Sequence, residues 1–245
     1  MSDHIKIRVK FQKTGAIRFI GHLDVMRFFQ KCTRRAQIPV CYTGGFSPHQ
    51  ILTFAAPLSV GLESYGEYLD IEVEDVTTSE DMMKRLNDAS VPEIKIVSVK
   101  RLPGDAGNAM ASVKAAKYEV SFREGRVPLA FQTEDAKIRK ELDRFLSMPS
   151  IPYEKEGKKG NREVDLRPGI HAFSYLPEKK AFELLLEASS GDNVKPVQVF
   201  DAMMKTMGQS LPENCLKVVR IDTYTSQGEG DAFSLISMDD VGTSF

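Results

Sequence analysis

Two histidines near the start of the chain have the chemistry of a general acid and base. His22 lies at the predicted start of a helix, and His49 closes a glycine-containing loop. An unperturbed imidazole titrates at about pH 6.5, so the pair could cleave a phosphodiester, and Asp24 could orient His22 or Arg27. The helix separates the two histidines by roughly 20 Å, however, and a histidine at a helix start is often only a hydrogen-bonding cap.

Basic side chains on the same helix, and Arg18 just before it, predict contacts with phosphate. Residues 1–50 contain nine Lys or Arg and two Asp, whereas the whole chain has a net charge of −1 at pH 7. Guanidinium groups pair bidentately with phosphate oxygens, and such a basic segment is typical of a surface that binds a polyanion. The alternative is a solvated helix face without a ligand. The predicted phosphate-binding residues here are Arg18, Arg27, Lys31, Arg34 and Arg35.

The loop YTGGFSPHQ, which follows this helix, adds aromatic and glycine residues. Gly44 and Gly45 allow a positive φ or a close approach of backbone N–H groups to a ligand, and Tyr42 and Phe46 could stack on bases. The loop lacks the GxxxxGKS/T and GxGxxG patterns, so it predicts no site for a nucleoside triphosphate or a dinucleotide. The alternative is an ordinary turn with Phe46 in the core.

A second polar cluster, VDLRPGIHAF, occupies residues 164–173. Strand alternation would place Asp165 and Arg167 on one face, where a cross-strand ion pair is the ordinary explanation. The preceding segment KEGKKGNR could extend a basic surface with Lys155, Lys158, Lys159 and Arg162. Arg162 and Arg167 are therefore further candidate RNA-binding residues.

Composition predicts a cytoplasmic globular protein without membrane contact. The chain has 245 residues, 42% of them hydrophobic, which is enough for two domains of about 100 residues each. No apolar run approaches the roughly 20 residues that span a bilayer, and the N-terminus does not resemble a signal peptide. Cys32, Cys41 and Cys215 are widely spaced, which predicts reduced thiols. Without a CxxC pair, the chain is expected to hold no metal, iron–sulfur cluster or other cofactor.

Hydrophobic periodicity predicts two similar sets of elements. The first set is a strand at 4–12, a helix at 22–37, strands at 51–56 and 67–73, a helix at 79–89 and a strand at 93–100. The second set is a strand at 118–122, a helix at 134–146, a hairpin of 151–154 with 164–166, strands at 170–176 and 181–188, a helix at 196–207 and a strand at 216–223. Both follow a β-α-β-β-α-β order.

The predicted fold is therefore α+β, with two tandem ferredoxin-like domains. The first domain covers residues 1–105, and the second covers residues 112–225 and contains one extra hairpin. The stretch RLPGDAGNAMAS at 101–112 separates them, because it is rich in Gly, Ala and Pro and has little periodicity. An acidic, flexible tail is expected at 226–245.

Several long motifs, GHLDVMR, RRA, GFSPHQ and PLSVGLES, occur with the spacing of a known family. In these motifs the chain resembles the radical-SAM-linked proteins, bacterial proteins found beside, or fused to the end of, radical SAM proteins. It departs from their commonest forms at Gly21, Ser47 and Gln50, where Ser, Asn and Pro are more usual; at Gly21 the change removes a helix N-cap. The resemblance implies a separately encoded radical SAM partner, which carries an iron–sulfur cluster, and a link to RNA processing.

The leading functional hypothesis is an accessory protein that binds a structured RNA, such as tRNA or rRNA, and presents it to a radical SAM partner. The first alternative is a stand-alone RNA-processing or RNA-modifying enzyme that uses His22 or His49, or Asp24. The second alternative is a protein-interaction module in which the basic helix and the acidic tail contact other chains and RNA never binds.

Overall fold

The computed structural model of the chain describes residues 4–155, 160–228 and 233–245. It is a mixed α+β structure with mostly antiparallel strand pairing, so the predicted α+β class is confirmed. The chain forms two compact units. The first unit comprises Met1–Lys114 and Arg220–Phe245, and the second unit comprises Ala115–Val219.

Most elements lie close to the ranges that hydrophobic periodicity predicts. The helix at Ala109–Ser112 and the strand at Ser234–Ser237 are not predicted, since they fall in the expected linker and the expected tail. The helices are α1 (His22–Arg35), α2 (Ser79–Asp88), α3 (Ala109–Ser112), α4 (Asp135–Leu146) and α5 (Pro196–Thr206). The strands are β1 (Ile5–Lys13), β2 (Leu52–Phe54), β3 (Glu63–Val73), β4 (Ile96–Arg101), β5 (Ala115–Phe122), β6 (Pro152–Lys155), β7 (Arg162–Asp165), β8 (Ile170–Leu176), β9 (Ala181–Glu187), β10 (Leu216–Gln227) and β11 (Ser234–Ser237). Strand β3 begins at Glu63 rather than at residue 67, because its first residues also pair with the end of β1, where Ser64 lies opposite Lys13.

The core of the first unit lies between its sheet and two helices. The strands pair in the order β4-β1-β3, and β2 also pairs with β3. Antiparallel register places Ile7 opposite Ile71 and Val9 opposite Leu69. These side chains are buried and pack in one cluster with the apolar faces of α1 and α2. Alternation along β1 therefore leaves Lys6, Arg8 and Lys10 on the opposite face of the sheet.

Helix α1 is amphipathic, and its ends follow known preferences. Val25, Phe29 and Cys32 recur at helical spacing and are buried. Asp24 lies in the first turn and Arg34 in the last. Both charges interact favourably with the helix dipole, whose N-terminal end is positive and whose C-terminal end is negative. The helix ends before the predicted residue 37 because Gln37 adopts a left-handed conformation with φ 53°.

The C-terminal segment, residues 233–245, is part of the first unit and not the flexible tail that the sequence predicts. Arg8 donates two hydrogen bonds to Asp70, of 2.7 and 2.9 Å, and a third of 3.0 Å to the carbonyl oxygen of Met238. Asp239 forms an ion pair of 3.2 Å with Lys100. The prediction was wrong for this segment because its carbonyl and acidic groups compensate Arg8, which is buried, and Lys100. Residues 229–232 of the predicted tail lie outside the described residues.

A second polar network lies on the same face of the sheet. The Tyr68 hydroxyl donates to Asp222 Oδ1 at 2.6 Å, and the Ser237 hydroxyl donates to Asp222 Oδ2 at 2.8 Å. Lys10 pairs with the same carboxylate at 3.0 Å. Burial, followed by the charge of Asp222, raises the pKa of Tyr68, so the phenol stays protonated and keeps donating.

Residues 220–225 belong to the first unit, although the sequence places them in the second domain. Arg220 forms a buried ion pair of 2.9 Å with Glu67, and the Thr223 hydroxyl donates to the carbonyl oxygen of Gly66 at 3.0 Å. These contacts join positions about 150 residues apart, which local periodicity does not encode.

In the second unit, β5, β9 and β8 pair in that order, all antiparallel. Strands β6 and β7 form a separate two-stranded sheet, which corresponds to the predicted hairpin of 151–154 with 164–166. Phe173, Phe182 and Phe200 form the centre of the core, with ring centroids 5.1–5.8 Å apart. Aromatic pairs at such distances prefer the tilted and edge-to-face orientations seen here.

The Arg8–Asp70 pair provides a test of this account of the first unit. We expect Asp70→Ala to lower the free energy of unfolding by about 3–5 kcal/mol, because Arg8 is then left buried without its counter-charge. The control is Arg27→Ala, which removes an exposed pair with Asp24 and should cost less than about 1 kcal/mol. Urea denaturation measures both, and equal losses in the two variants would contradict the assigned role.

Candidate nucleic-acid interface

The exposed side of α1 carries cations that remain available to a ligand. Arg27 forms an exposed pair with Asp24 at 3.3 Å, and Arg35 donates to the carbonyl oxygen of Ala89 at 2.6 Å. Lys31 and Arg34 are exposed, and neither has a hydrogen-bond or ion-pair partner in the described part of the chain. Arg27, Lys31 and Arg34 are three and four residues apart and form what we call the basic face of α1.

Arg18 is already engaged in holding local structure. Its Nη1 donates to Glu63 at 3.1 Å and to the carbonyl oxygen of Gly15 at 3.3 Å. Its guanidinium carbon also lies 4.7 Å from the ring centroid of Phe19. The charge of Arg18 is thus compensated by Glu63.

The cations of β1 are also compensated within the first unit. Arg8 and Lys10 pair with Asp70 and Asp222 as described above, and Lys13 donates to the carbonyl oxygen of Ile20 at 2.8 Å. Burial lowers the pKa of Lys13. The basic residues that are close together in residues 1–50 are therefore not all available in the folded unit. Among the described residues, those that are exposed and unpaired lie on α1.

The glycine loop, residues 43–49, is a closed turn with an aromatic side chain at its tip. The Thr43 amide donates to the carbonyl oxygen of His49 at 2.9 Å, and the His49 amide donates to the Thr43 hydroxyl at 3.1 Å. Phe46 is fully exposed, so the alternative that it plugs the core is wrong. Tyr42, just before the loop, is 47% exposed.

Gln50 anchors the base of the loop to α1. This side chain is buried, and its amide nitrogen donates to the Thr33 hydroxyl at 3.1 Å. Thr33 precedes Arg34, so the bond holds the loop beside the second half of the basic helix. The sequence marks Gln50 only as a departure from the resembled family. The sequence feature that could have indicated this anchor is Thr33, a polar residue on the otherwise apolar side of the helix.

His22 and His49 are not brought together. His22 packs edge-to-face on Phe54, with ring centroids 5.2 Å apart, while the ring of His49 contacts the Thr43 hydroxyl at 3.1 Å. His22 is the first residue of α1, whereas the loop that carries His49 is anchored to this helix at Thr33. The helix between residues 22 and 33 is about 16 Å long. Asp24 bonds to Arg27 and not to His22. An acid–base pair of the two histidines therefore has no support in this geometry.

The environment of His22 lowers its pKa. Burial lowers the pKa of His22, the charge of Glu67 opposes this effect, and Lys13 adds to it. Burial disfavours the imidazolium because the charged ring loses solvation. The neutral ring is therefore the form that packs against Phe54.

The two candidate arginines of the second unit differ in their environments. Arg162 is exposed on β7, whereas Arg167 donates to the carbonyl oxygens of Leu146 at 3.1 Å and Ile170 at 3.4 Å. Asp165 does not form the predicted ion pair. It accepts hydrogen bonds from the amides of Ile151 and Arg167, which lower its pKa.

Cys32, Cys41 and Cys215 are free and buried, and burial raises the pKa of each thiol. Within residues 4–155, 160–228 and 233–245, no cluster of three or more His, Cys, Asp or Glu could hold a metal ion. None of the helices in these ranges is long and apolar enough to cross a bilayer. Lys158 and Lys159 lie outside the described residues.

Residues 6–196 match the model of a family described as an uncharacterized protein conserved in bacteria, DUF2344. The chain belongs to this family. The matched range contains α1, the glycine loop and the β6–β7 hairpin, so both predicted clusters lie inside the family domain. No curated protein matches the chain. The family description mentions neither radical SAM proteins nor RNA.

Gly45 allows a test of whether the loop conformation requires glycine. Its φ is +96°, whereas Gly44 does not adopt a positive φ, and an added Cβ at either position would meet open space. We expect Gly45→Ala to accelerate hydrogen exchange at the Thr43 and His49 amides about tenfold, because a side chain at positive φ costs about 1–2 kcal/mol. Gly44→Ala is the control, and equal exchange in both variants would contradict this.

The lowered pKa of His22 predicts a pH dependence of stability. Between the folded pKa and about pH 6.5, the unfolded chain binds more protons than the folded chain, so the free energy of unfolding falls as the pH decreases. The variant His22→Gln should lack this component, and its stability should fall less than that of wild type between about pH 7.5 and pH 5. Denaturation at both pH values measures the difference. A titration of the His22 ring by NMR at or above the ordinary pKa would contradict the prediction.

Proposed function

We propose that the chain binds structured RNA, such as tRNA or rRNA, through the basic face of α1 and the glycine loop. The observation that carries this proposal is a fully exposed Phe46 on a closed loop that Gln50 ties to a helix with unpaired cations. A solvated basic face alone would not require an aromatic ring held in solvent. Cations that neutralise phosphates and aromatic rings that stack on bases are the two parts of single-strand recognition.

Each part of this interface would contribute differently. Lys31 and Arg34 would replace counterions on phosphates, so their contribution depends on salt. Phe46 would stack on an unpaired base, and the contribution of stacking is sequence-tolerant. Tyr42 could provide a second ring near the base of the loop. The target is then an unpaired loop or bulge of a folded RNA and not a regular duplex, whose bases are already stacked.

We further propose that the chain presents this RNA to a separately encoded radical SAM enzyme. The motifs shared with radical-SAM-linked proteins support the partner. An exposed apolar group near the start of α1 supports a protein contact, because Phe19, Leu23 and Val60 are 63%, 66% and 59% exposed. A hydrogen bond of 2.8 Å from Gly61 to Arg18 keeps Val60 near Phe19. Exposed apolar groups of this kind often mark protein-binding surfaces.

We infer that both units are ferredoxin-like domains. In the first unit this is supported by the antiparallel order β4-β1-β3-β2 and by the β-α-β-β-α-β sequence of elements. In the second unit it is supported by the order β5-β9-β8, with α4 after β5 and α5 after β9. Folds of this type serve many functions, so the inference adds no weight to RNA binding.

Removing the two unpaired cations should weaken RNA binding in a salt-dependent way. A plot of log affinity against log salt has a negative slope, and each phosphate contact adds about 0.7 to its magnitude. The double variant Lys31→Ala/Arg34→Ala removes two contacts, so we expect the magnitude of the slope to decrease by about 1.4. Filter binding with total tRNA between about 50 and 200 mM salt measures the slope. The matched control is Lys137→Ala/Lys140→Ala, which removes the same charge from exposed positions on α4.

Phe46→Ala separates stacking from charge in the same assay. It should lower affinity about tenfold or more and leave the salt slope unchanged. In-cell UV crosslinking of wild type and the double variant would then identify the RNA. A salt-independent affinity, or crosslinking at background level in both proteins, would exclude the RNA-binding proposal and favour the protein-interaction module.

A further inference from the structure

The second unit contains an aromatic cavity that the proposed function does not use. Its volume is about 340 Å³, which is at the lower end of the range of about 300–1,000 Å³ for small-molecule sites. Phe122, Phe131 and Phe182 line its apolar part. Gln132, Thr133 and Lys180 line its polar part. The cavity is larger than a packing defect, and it combines an apolar wall with a few polar groups, as ligand sites do.

The rings of the apolar wall pack against one another. Phe131 and Phe182 are buried, with ring centroids 5.6 Å apart and planes at 80°. The ring of Phe122 lies 4.9 Å from that of Phe131 and is only half-buried. Since the neighbouring rings fix its orientation, Phe122 offers an aromatic surface to a planar ligand without a large loss of side-chain entropy.

The polar part of the cavity is electrically balanced. Lys180 and the Tyr175 hydroxyl both donate to Asp135 Oδ1, at 2.7 and 2.9 Å. These hydrogen bonds, with that of Lys180 as the larger cause, lower the pKa of Asp135, and the carboxylate stays ionised. Its charge compensates the ammonium of Lys180. A neutral ligand is therefore favoured over a phosphate or a carboxylate.

Donors and acceptors remain available beside the aromatic wall. The side-chain amide nitrogen of Gln132 donates to the carbonyl oxygen of Val127 at 2.6 Å, which leaves its side-chain oxygen as an acceptor. The Thr133 hydroxyl can donate or accept, and the Lys180 ammonium has further donor positions. The edge of a nucleobase carries both donors and acceptors around a planar ring.

We infer that this cavity of the second unit binds a neutral planar heteroaromatic ring of the nucleobase type. The ring stacks on Phe122, and its polar edge faces Gln132, Thr133 and Lys180. The base can belong to a free nucleoside or to an RNA chain, since the recognition chemistry is the same. The inference does not depend on RNA binding by α1 and the glycine loop, because every residue that carries it lies within Ala115–Val219.

The test is a titration of the full chain with adenosine, guanosine, cytidine and uridine, followed by amide NMR spectra. At least one nucleoside should shift the amides of Phe131, Gln132, Thr133 and Lys180. Thr133→Phe, which fills the cavity, and Phe122→Leu, which removes the stacking ring, should each weaken binding about tenfold or more. Lys179→Ala is the matched control, because Lys179 pairs with Glu119 at 2.7 Å and does not line the cavity.

A parallel titration with a short single-stranded RNA distinguishes the two sources of the base. Cavity shifts with nucleosides identify a small-molecule site, and cavity shifts with the RNA alone identify a base within a chain. If Thr133→Phe does not fold, Phe122→Leu decides. The inference is overturned if neither probe shifts the cavity amides, or if Phe122→Leu binds both probes as tightly as wild type.

Discussion

The first unit depends on compensation of the charge of Arg8, which is only 2% exposed. A guanidinium removed from water is tolerated only when its charge is paired and its N–H groups are bonded. Asp70 supplies the counter-charge from β3, and the carbonyl oxygen of Met238 supplies the third acceptor from the C-terminal segment. This requirement attaches residues near the end of the chain to the strand that begins it.

The same compensation determines which cations can face a ligand. Along the sequence, bases are concentrated in residues 1–50, and acids follow in residues 51–75 and near the C-terminus. In the folded unit, Asp70, Asp222 and Asp239 pair with cations of β1 and β4. Of the described cations in residues 1–50, the exposed ones without a partner, Lys31 and Arg34, are on α1, beside a loop that is held by the Thr33–Gln50 bond.

The two candidate sites have opposite physical character. The surface of α1 with the glycine loop is positively charged, and its aromatic ring projects into solvent. The cavity of the second unit is concave and charge-balanced, and its rings are fixed by their neighbours. The first arrangement suits a polyanion with accessible bases, whereas the second suits a small neutral ring.

Sequence alone determined the α+β class, the order of the longer elements and the exposed position of Lys31 and Arg34. Helical and strand periodicity are local and follow from which side chains can be buried together. The tertiary structure alone decided the partners of Arg8 and Arg220, the separation of His22 from His49 and the anchoring of the loop by Gln50. It also placed residues 233–245 in the first unit. Such pairings join positions as far apart as Arg8 and Met238, and their geometry depends on strand order and register, which local patterns do not carry.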